Sequence, residues 1–416
     1  MNLAGLRDSK TFTHALFRFP GRFHPPLVAY LIRRHPEAKV IGDPMVGSGT
    51  SAVETVISGR DGIFTDIDPL SCLLTRAKTT PFNPDWVGDA LSFILRRAQP
   101  LAKRGTTKAV ANRAIADMEG STQFRAPPDV FKWFQPYVAA NLAKTLRISA
   151  ELKTSQSQSD AILSIFAGAI RRLSRADPAT ASGLEVTKIR RRALKEGLRF
   201  DIESELLRKA QILSSGYKQM LALPMLGKAV VVEHDAKDWS ALCVKSKTLP
   251  DLVITSPCYF SAIEYWRRHR LEYCWLGLVE PAALKSVKQG FLGMGTQAVD
   301  FGELPEYVAR LYTDLSNKVG KSRATKLARY FQDSLGWVRE VGRLITKTHG
   351  TAYVVVGSNT SHGLHVDTPR ALREIAAREG LKASTLMTYR IHNAYMQYKT
   401  DTQRIGSETV LCIVPS

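Results

Sequence analysis

Residues 39–68 read KVIGDPMVGSGTSAVETVISGRDGIFTDID, and this stretch decides the fold. Lys39 to Gly42 is a short apolar run that leads into Asp43-Pro44-Met45-Val46-Gly47-Ser48-Gly49-Thr50, and Ser51 to Ser58 then has the character of a helix. A strand, a tight glycine turn and a helix start make a place where backbone approaches a ligand with no Cβ in the way. The spacing is not that of a phosphate P-loop, and no lysine follows the second glycine, so ATP and GTP are disfavoured. The next strand, Gly62 to Thr65, ends in Asp66-Ile67-Asp68-Pro69. A carboxylate at the end of the second strand, about 20 residues after the turn, is placed to accept hydrogen bonds from ribose hydroxyls.

Working outward, the next decisive stretch is Asp251 to Gly277, DLVITSPCYFSAIEYWRRHRLEYCWLG. Leu252 to Ile254 predicts a buried strand, stopped by Thr255-Ser256-Pro257 and followed by Cys258 and Tyr259. Pro257 fixes its own φ and pushes Ser256 into an extended conformation, so the loop is stiff. Tyr259 beside a thiol makes a seat for a planar ring such as a nucleobase; the plain alternative is a strand-to-helix turn with a buried cysteine. Ala229 to Val232 predicts a further strand, with Asp235 just beyond its end, beside the same crevice. Leu327 to Leu344 and Pro369 to Glu379 read as helices, and Gly350 to Gly357 and Val410 to Val414 as strands. Upstream, FRFPGRFH at residues 17–24 precedes Pro25-Pro26 and a helix that opens just after them, whose plain role is packing. Strand and helix alternate around one interruption, which predicts an α/β fold with a doubly wound sheet and a large helical insertion.

That interruption runs from Pro81 to about Met225 and is helical in pattern, for example at Ala90-Leu91-Ile94-Leu95 and Ala161-Ile162-Ile165-Phe166-Ile170. The expected organisation is therefore 1–80, a helical basic insertion at 81–225, and 226–416. TSQSQS at residues 154–159 and the stretch Ala176 to Gly183 read as loops. The chain has 58 Lys+Arg against 38 Asp+Glu, a net charge of +20 that favours a polyanionic partner, nucleic acid first. Roughly half of that excess falls in the insertion, with clusters at Arg171, Arg172 and Arg175 and at Lys188, Arg190, Arg191, Arg192, Lys195 and Arg199. The bland alternative for any of these is a solvated helix face. Five scattered cysteines with no CxxC pair argue against a disulfide framework or a zinc site, so no metal is expected. No apolar run approaches the ~20 residues that cross a bilayer, and no secretory signal is recognised, so the expectation is a cytoplasmic protein with no membrane partner.

These features together resemble the S-adenosylmethionine-dependent DNA methyltransferases. DPMVGSGT resembles the family's glycine motif, Asp66 in TDIDP its ribose-binding acid, and Asp235 in EHDA its adenine-contact acid. Ser256-Pro257-Cys258-Tyr259 resembles its catalytic strand-end motif, and FPGRFHPP, with Phe23 and His24, resembles the element that closes over the methionine part of the cofactor. The resemblance implies a class I, Rossmann-like fold and S-adenosyl-L-methionine as cofactor, held by Phe23, His24, Asp43, Pro44, Gly47, Ser48, Gly49, Thr50, Asp66 and Asp235. The order, cofactor motif before catalytic motif with a large segment between, is that of some amino-methyltransferases.

Cys258 departs from that pattern, because amino-methyltransferases carry proline there. A Pro-Cys dipeptide at this loop instead resembles the cytosine carbon-5 methyltransferases, in which a thiolate adds to carbon 6 and turns the ring into a nucleophile. Two mechanisms compete. In the favoured one Cys258 attacks carbon 6, Glu264 assists at N3, and a flipped cytosine is methylated at carbon 5. In the other, Cys258 only fills space, while Ser256 and the Pro257 carbonyl orient the amine that becomes N4-methylcytosine or N6-methyladenine. Tyr259 serves both as a stacking platform. The family's glutamate-asparagine-valine motif is not found; Glu272 is a second candidate acid, and Gln403-Arg404 faintly resembles a further carbon-5 motif. An inactive nucleic-acid-binding protein that keeps the fold is a third reading. The resemblance implies DNA as partner, with a cognate restriction endonuclease as a further one. Arg171, Arg172, Arg175, Arg267, Arg268 and Arg270 are the expected phosphate contacts.

Overall fold

The apolar runs become strands of one sheet in the computed structural model, which describes residues 11–103, 105–180, 183–260, 263–391 and 406–416. In chain order the strands are β1 (Val40–Asp43), β2 (Asp61–Asp66), β3 (Ala229–Glu233), β4 (Leu252–Thr255), β5 (Thr351–Gly357), β6 (Asn359–Ser361), β7 (Leu364–Val366), β8 (Leu381–Arg390) and β9 (Ser407–Pro415). Seven of them form a sheet in the order β3-β2-β1-β4-β5-β9-β8, while β6 and β7 pair separately. β1 to β5 are parallel, and β9 runs antiparallel between β5 and β8.

Side-chain alternation explains why both faces are covered. On one face Leu252 and Ile254 of β4, with Tyr353 and Val355 of β5, pack against Leu27, Val28 and Leu31 of the helix Pro25–Arg33. On the other, Val253, Val354 and Val356 pack against Trp239 and against Leu335, Val338 and Leu344 of the helix Lys321–Thr348. A parallel sheet buried on both sides is the doubly wound, Rossmann-like arrangement of the class I methyltransferases. Its ligand crevice lies at the carboxyl ends of the strands, where the order turns back from β1 to β4.

The chain divides into two compact units. The α/β unit comprises Gly21–Asp68, Gly227–Glu264 and Lys285–Ser416. The helical unit comprises the described part of Met1–Pro20, with Pro69–Leu226 and Tyr265–Leu284, so it takes in more than the 81–225 read from the sequence. Its long helices include Pro84–Ala98, Pro136–Ala150, Gln156–Leu173 and Ile202–Leu221. The expected loop at 154–159 is mostly helix: Ser155 caps it, accepting from Gln158 N while the Gln158 side chain accepts from Ser155 N, a capping box that starts the helix at Gln156. A strand not foreseen is β8, an edge strand whose residues LKASTLMTYR are nearly all exposed or half-buried.

Candidate active site

The glycine turn is built from beneath by two acids. Asp43, at the end of β1 and 1% exposed, accepts from Met45 N at 3.0 Å and from Ser51 Oγ at 2.5 Å, tying the strand end to the helix Thr50–Ile57. Gly47 and Gly49 lie at φ 50° and 79°, in the left-handed region where a Cβ is strained, and Gly49 is the residue from which the helix starts. Asp66, at the end of β2, accepts from Gly47 N at 2.8 Å and Asp68 N at 2.9 Å, so the acid and the turn are one rigid piece. Burial pushes the Asp43 carboxyl up to about 6. Burial, and then the charge of Asp68, push Asp66 up to about 7. Thr65 Oγ1 donates to Pro44 O, and Ser48 and Thr50 hydroxyls share a hydrogen bond at 2.9 Å.

The loop after β4 is held at four points within the same unit. Ser256 Oγ donates to Val355 O at 3.0 Å, and Tyr330 Oη donates to Cys258 O at 2.9 Å. Tyr259 Oη donates to Glu408 Oε1 at 2.7 Å, and Asn359 Nδ2 donates to Phe260 O at 2.5 Å. Glu408 of β9 also takes the Tyr389 hydroxyl. Because the Ser256 hydroxyl spends its proton on a carbonyl, it is left to act as an acceptor toward a further group.

Cys258 is half-buried. Burial, followed by the carboxylates of Asp66 and Asp333, pushes its thiol up to about 12. Activated cysteines sit instead beside cations or a helix N-terminus that lower the pKa. These surroundings disfavour the thiolate form in the ligand-free chain.

Asp235 follows β3 and accepts from Lys237 N at 2.9 Å. Lys237 Nζ lies 3.5 Å from Asp235 and 3.0 Å from Asp333, whose other oxygen accepts from Gly293 N at 2.8 Å. Burial works against the lysine's charge, but Asp333 and Asp235 outweigh it and raise its pKa. Asp333, Lys237, Tyr330, Asn359 and Glu408 were not singled out in the sequence. Their only signal there is a polar residue on an amphipathic helix or at a strand end.

The remaining expected residues disperse. Phe23 packs on the core face built from Leu27, Ile254 and Tyr353, and His24 is the exposed cap residue of the helix Pro25–Arg33. Glu264 is half-buried just before the short helix Tyr265–Arg268, and Glu272 lies in the helical unit, buried beside His269, Arg171 and Arg268. Gln403-Arg404 lies outside the described residues.

Arg171 and Arg268 correct the expectation of phosphate contacts: they are 7% and 1% exposed. Arg171 donates to Thr180 Oγ1 at 2.8 Å and to the carbonyls of Asp177, Gly183 and Arg268, and Arg268 donates to Thr180 O. Their donors hold Asp177, Thr180 and Gly183 in place. Arg172 is exposed but paired with Glu205 at 2.8 Å, Arg175 and Arg270 are half-buried, and Arg267 is exposed.

No protein-family model matches the chain. It is similar to the Type II methyltransferase M.MvaI of Kocuria varians, 23% identical over 433 residues that cover 97% of this chain and 89% of that protein. It is also similar to the Type II methyltransferase M.MjaII of Methanocaldococcus jannaschii, 28% identical over 103 residues, 24% of this chain and 19% of that protein. A solved rRNA methyltransferase, aviRa from Streptomyces viridochromogenes, covers 98% of this chain and 94% of its own at 12% identity, with a TM-score of 0.34 that is too low to bear on fold or function. Among the described residues no helix is long and apolar enough to cross a membrane. Sheet order and the relatives together support a methyltransferase, and that activity implies S-adenosylmethionine as the methyl donor.

Proposed function

We propose that the chain is a DNA amino-methyltransferase that moves a methyl group to the exocyclic amine of a flipped base, N4 of cytosine or N6 of adenine. The observation that carries this choice is the setting of Cys258, a half-buried thiol that burial, and then the charges of Asp66 and Asp333, push up to about 12. When bound, S-adenosylmethionine supplies a methyl group activated on a sulfonium. The chain's residues fit it: the left-handed Gly47 and Gly49 leave room for close approach, Asp66 would take the ribose hydroxyls, and Asp235 would take the adenine edge.

An amine needs no covalent help, only orientation and a dry setting. Ser256 Oγ and the Pro257 carbonyl accept the two amine protons and aim the nitrogen lone pair at the methyl carbon. Tyr259, fixed by Glu408, gives the base a surface to stack on. With the donor bound, the amine would take the methyl group as the methyl–sulfur bond broke, the electron pair would remain on sulfur, and the surplus amine proton would pass to solvent.

The carbon-5 route remains as a second reading, favoured by the place of Cys258 directly after Pro257. DNA as substrate rests on the sequence resemblance and the +20 charge. Nucleoside mass spectrometry of duplex DNA methylated by the purified chain decides between the routes. N4-methylcytosine or N6-methyladenine is expected, and 5-methylcytosine overturns the proposal.

A further inference from the structure

The short helix Lys188–Lys195 of the helical unit, KIRRRALK, has no buried residue. Isolated helices shorter than about 12 residues are marginal in water, and most helices in proteins are held by an apolar face. This one is held differently. Thr187 caps it, accepting from Arg190 N at 3.1 Å. Arg190 turns inward, donating to Ser174 O at 2.7 Å and Arg172 O at 3.2 Å, with its guanidinium 5.3 Å from the centre of the Phe200 ring.

At 100° per residue, Lys188, Arg191, Arg192 and Lys195 share one stripe on the face opposite Arg190. All four are exposed. They stand three and four residues apart, the spacing at which like charges repel and destabilise a helix. Arg199 adds an exposed cation beyond the helix, and Glu196, paired with Arg192 at 2.7 Å, is the one acid between residues 188 and 199. An exposed pair of that kind is weak and exchanges readily for another anion. The helix thus spends its inward arginine on anchorage and lines its outer face with cations over about 10 Å, at a cost to its own stability. A polyanion reverses the sign of that cost.

We propose that Lys188, Arg191, Arg192 and Lys195 form a docking stripe for the phosphate backbone of duplex DNA, in place of the buried Arg171 and Arg268. The assignment rests on the proposed action on DNA. The stripe contacts phosphates and not base edges, so it adds affinity without sequence preference.

The test is fluorescence anisotropy of a labelled 30-base-pair duplex of mixed sequence, titrated with the full chain between 50 and 300 mM NaCl. Each phosphate contact contributes about 0.9 to the slope of log affinity against log salt. A fourfold variant carrying Lys188→Gln, Arg191→Gln, Arg192→Gln and Lys195→Gln is expected to lose about 3 to 4 from that slope and at least tenfold in affinity at low salt. Its Tm should equal or exceed the wild type, because the repulsion is gone. Should it fail to fold, single Arg191→Gln and Lys195→Gln variants each lose about 0.9. A control with Lys245→Gln and Lys247→Gln, exposed positions in the α/β unit, keeps the wild-type slope. A wild type that methylates DNA, with a fourfold variant of unchanged slope and affinity, overturns the docking stripe alone. A wild type that binds S-adenosylmethionine but neither binds nor methylates DNA overturns the functional reading as well.

Discussion

Replacing Cys258 by serine separates the two chemistries sharply. The thiol stands at about 12 where an ordinary cysteine stands at 9.0. Three pH units reduce the thiolate fraction about a thousandfold at any pH below 9, a disadvantage of about 4 kcal/mol for a covalent route. Serine occupies nearly the same volume, and the loop's tie to Tyr330 runs through the Cys258 carbonyl, so the backbone is kept. Amine transfer therefore predicts single-turnover rates for Cys258→Ser within about tenfold of wild type. It also predicts a wild-type rate that does not climb tenfold per pH unit between pH 6.5 and 8.5. The assay is methyl transfer to duplex DNA with excess enzyme, followed by nucleoside mass spectrometry. Loss of a thousandfold or more in the serine variant, with 5-methylcytosine as the wild-type product, refutes the reasoning.

Asp66→Asn should weaken S-adenosylmethionine binding at least tenfold by calorimetry. Because Asp66 moves from 3.8 to about 7 on folding, the folded protein keeps a proton that the unfolded chain releases, and this term makes stability fall as pH rises through that window. Denaturant titrations at pH 5 and 7.5 should show a smaller difference for the variant, and an identical difference would refute the assigned shift. Glu408→Ala removes the acceptor of two tyrosine hydroxyls, Tyr259 and Tyr389, and should cost roughly 1–3 kcal/mol for each one left unpaired, together with a lower kcat. Unchanged stability would mean that solvent replaces Glu408 without penalty.

The parallel core was legible because strands buried on both faces, such as Leu252 to Thr255 and Thr351 to Gly357, are written as continuous apolar runs. β8 was not, because an edge strand with one wet face carries lysine, serine and threonine and takes its identity from its pairing with β9. The capping box Ser155-x-x-Gln158 was written in the residues that had suggested a loop. The burial of Arg171 was also legible in principle: it lies one helical turn from Ala167, on the face that includes Ser164, all of them buried. What composition cannot say is which arginines spend their donors on carbonyls of their own chain. The same limit holds for Cys258, whose place in a motif says nothing of the two distant carboxylates that the fold brings to it.

The pairing of β2 with β3 joins neighbours in the sheet that stand about 160 residues apart in the chain. An ordinary crossover between parallel strands needs a dozen or so residues. Closing a flexible loop more than tenfold longer costs about 2 kcal/mol more, from the logarithmic growth of closure entropy. Early condensation of the helical unit would shorten the effective loop between Asp68 and Gly227 before β3 formed. Folding should then proceed from the helices toward the sheet edge, with β3 among the last strands to gain protection against hydrogen exchange.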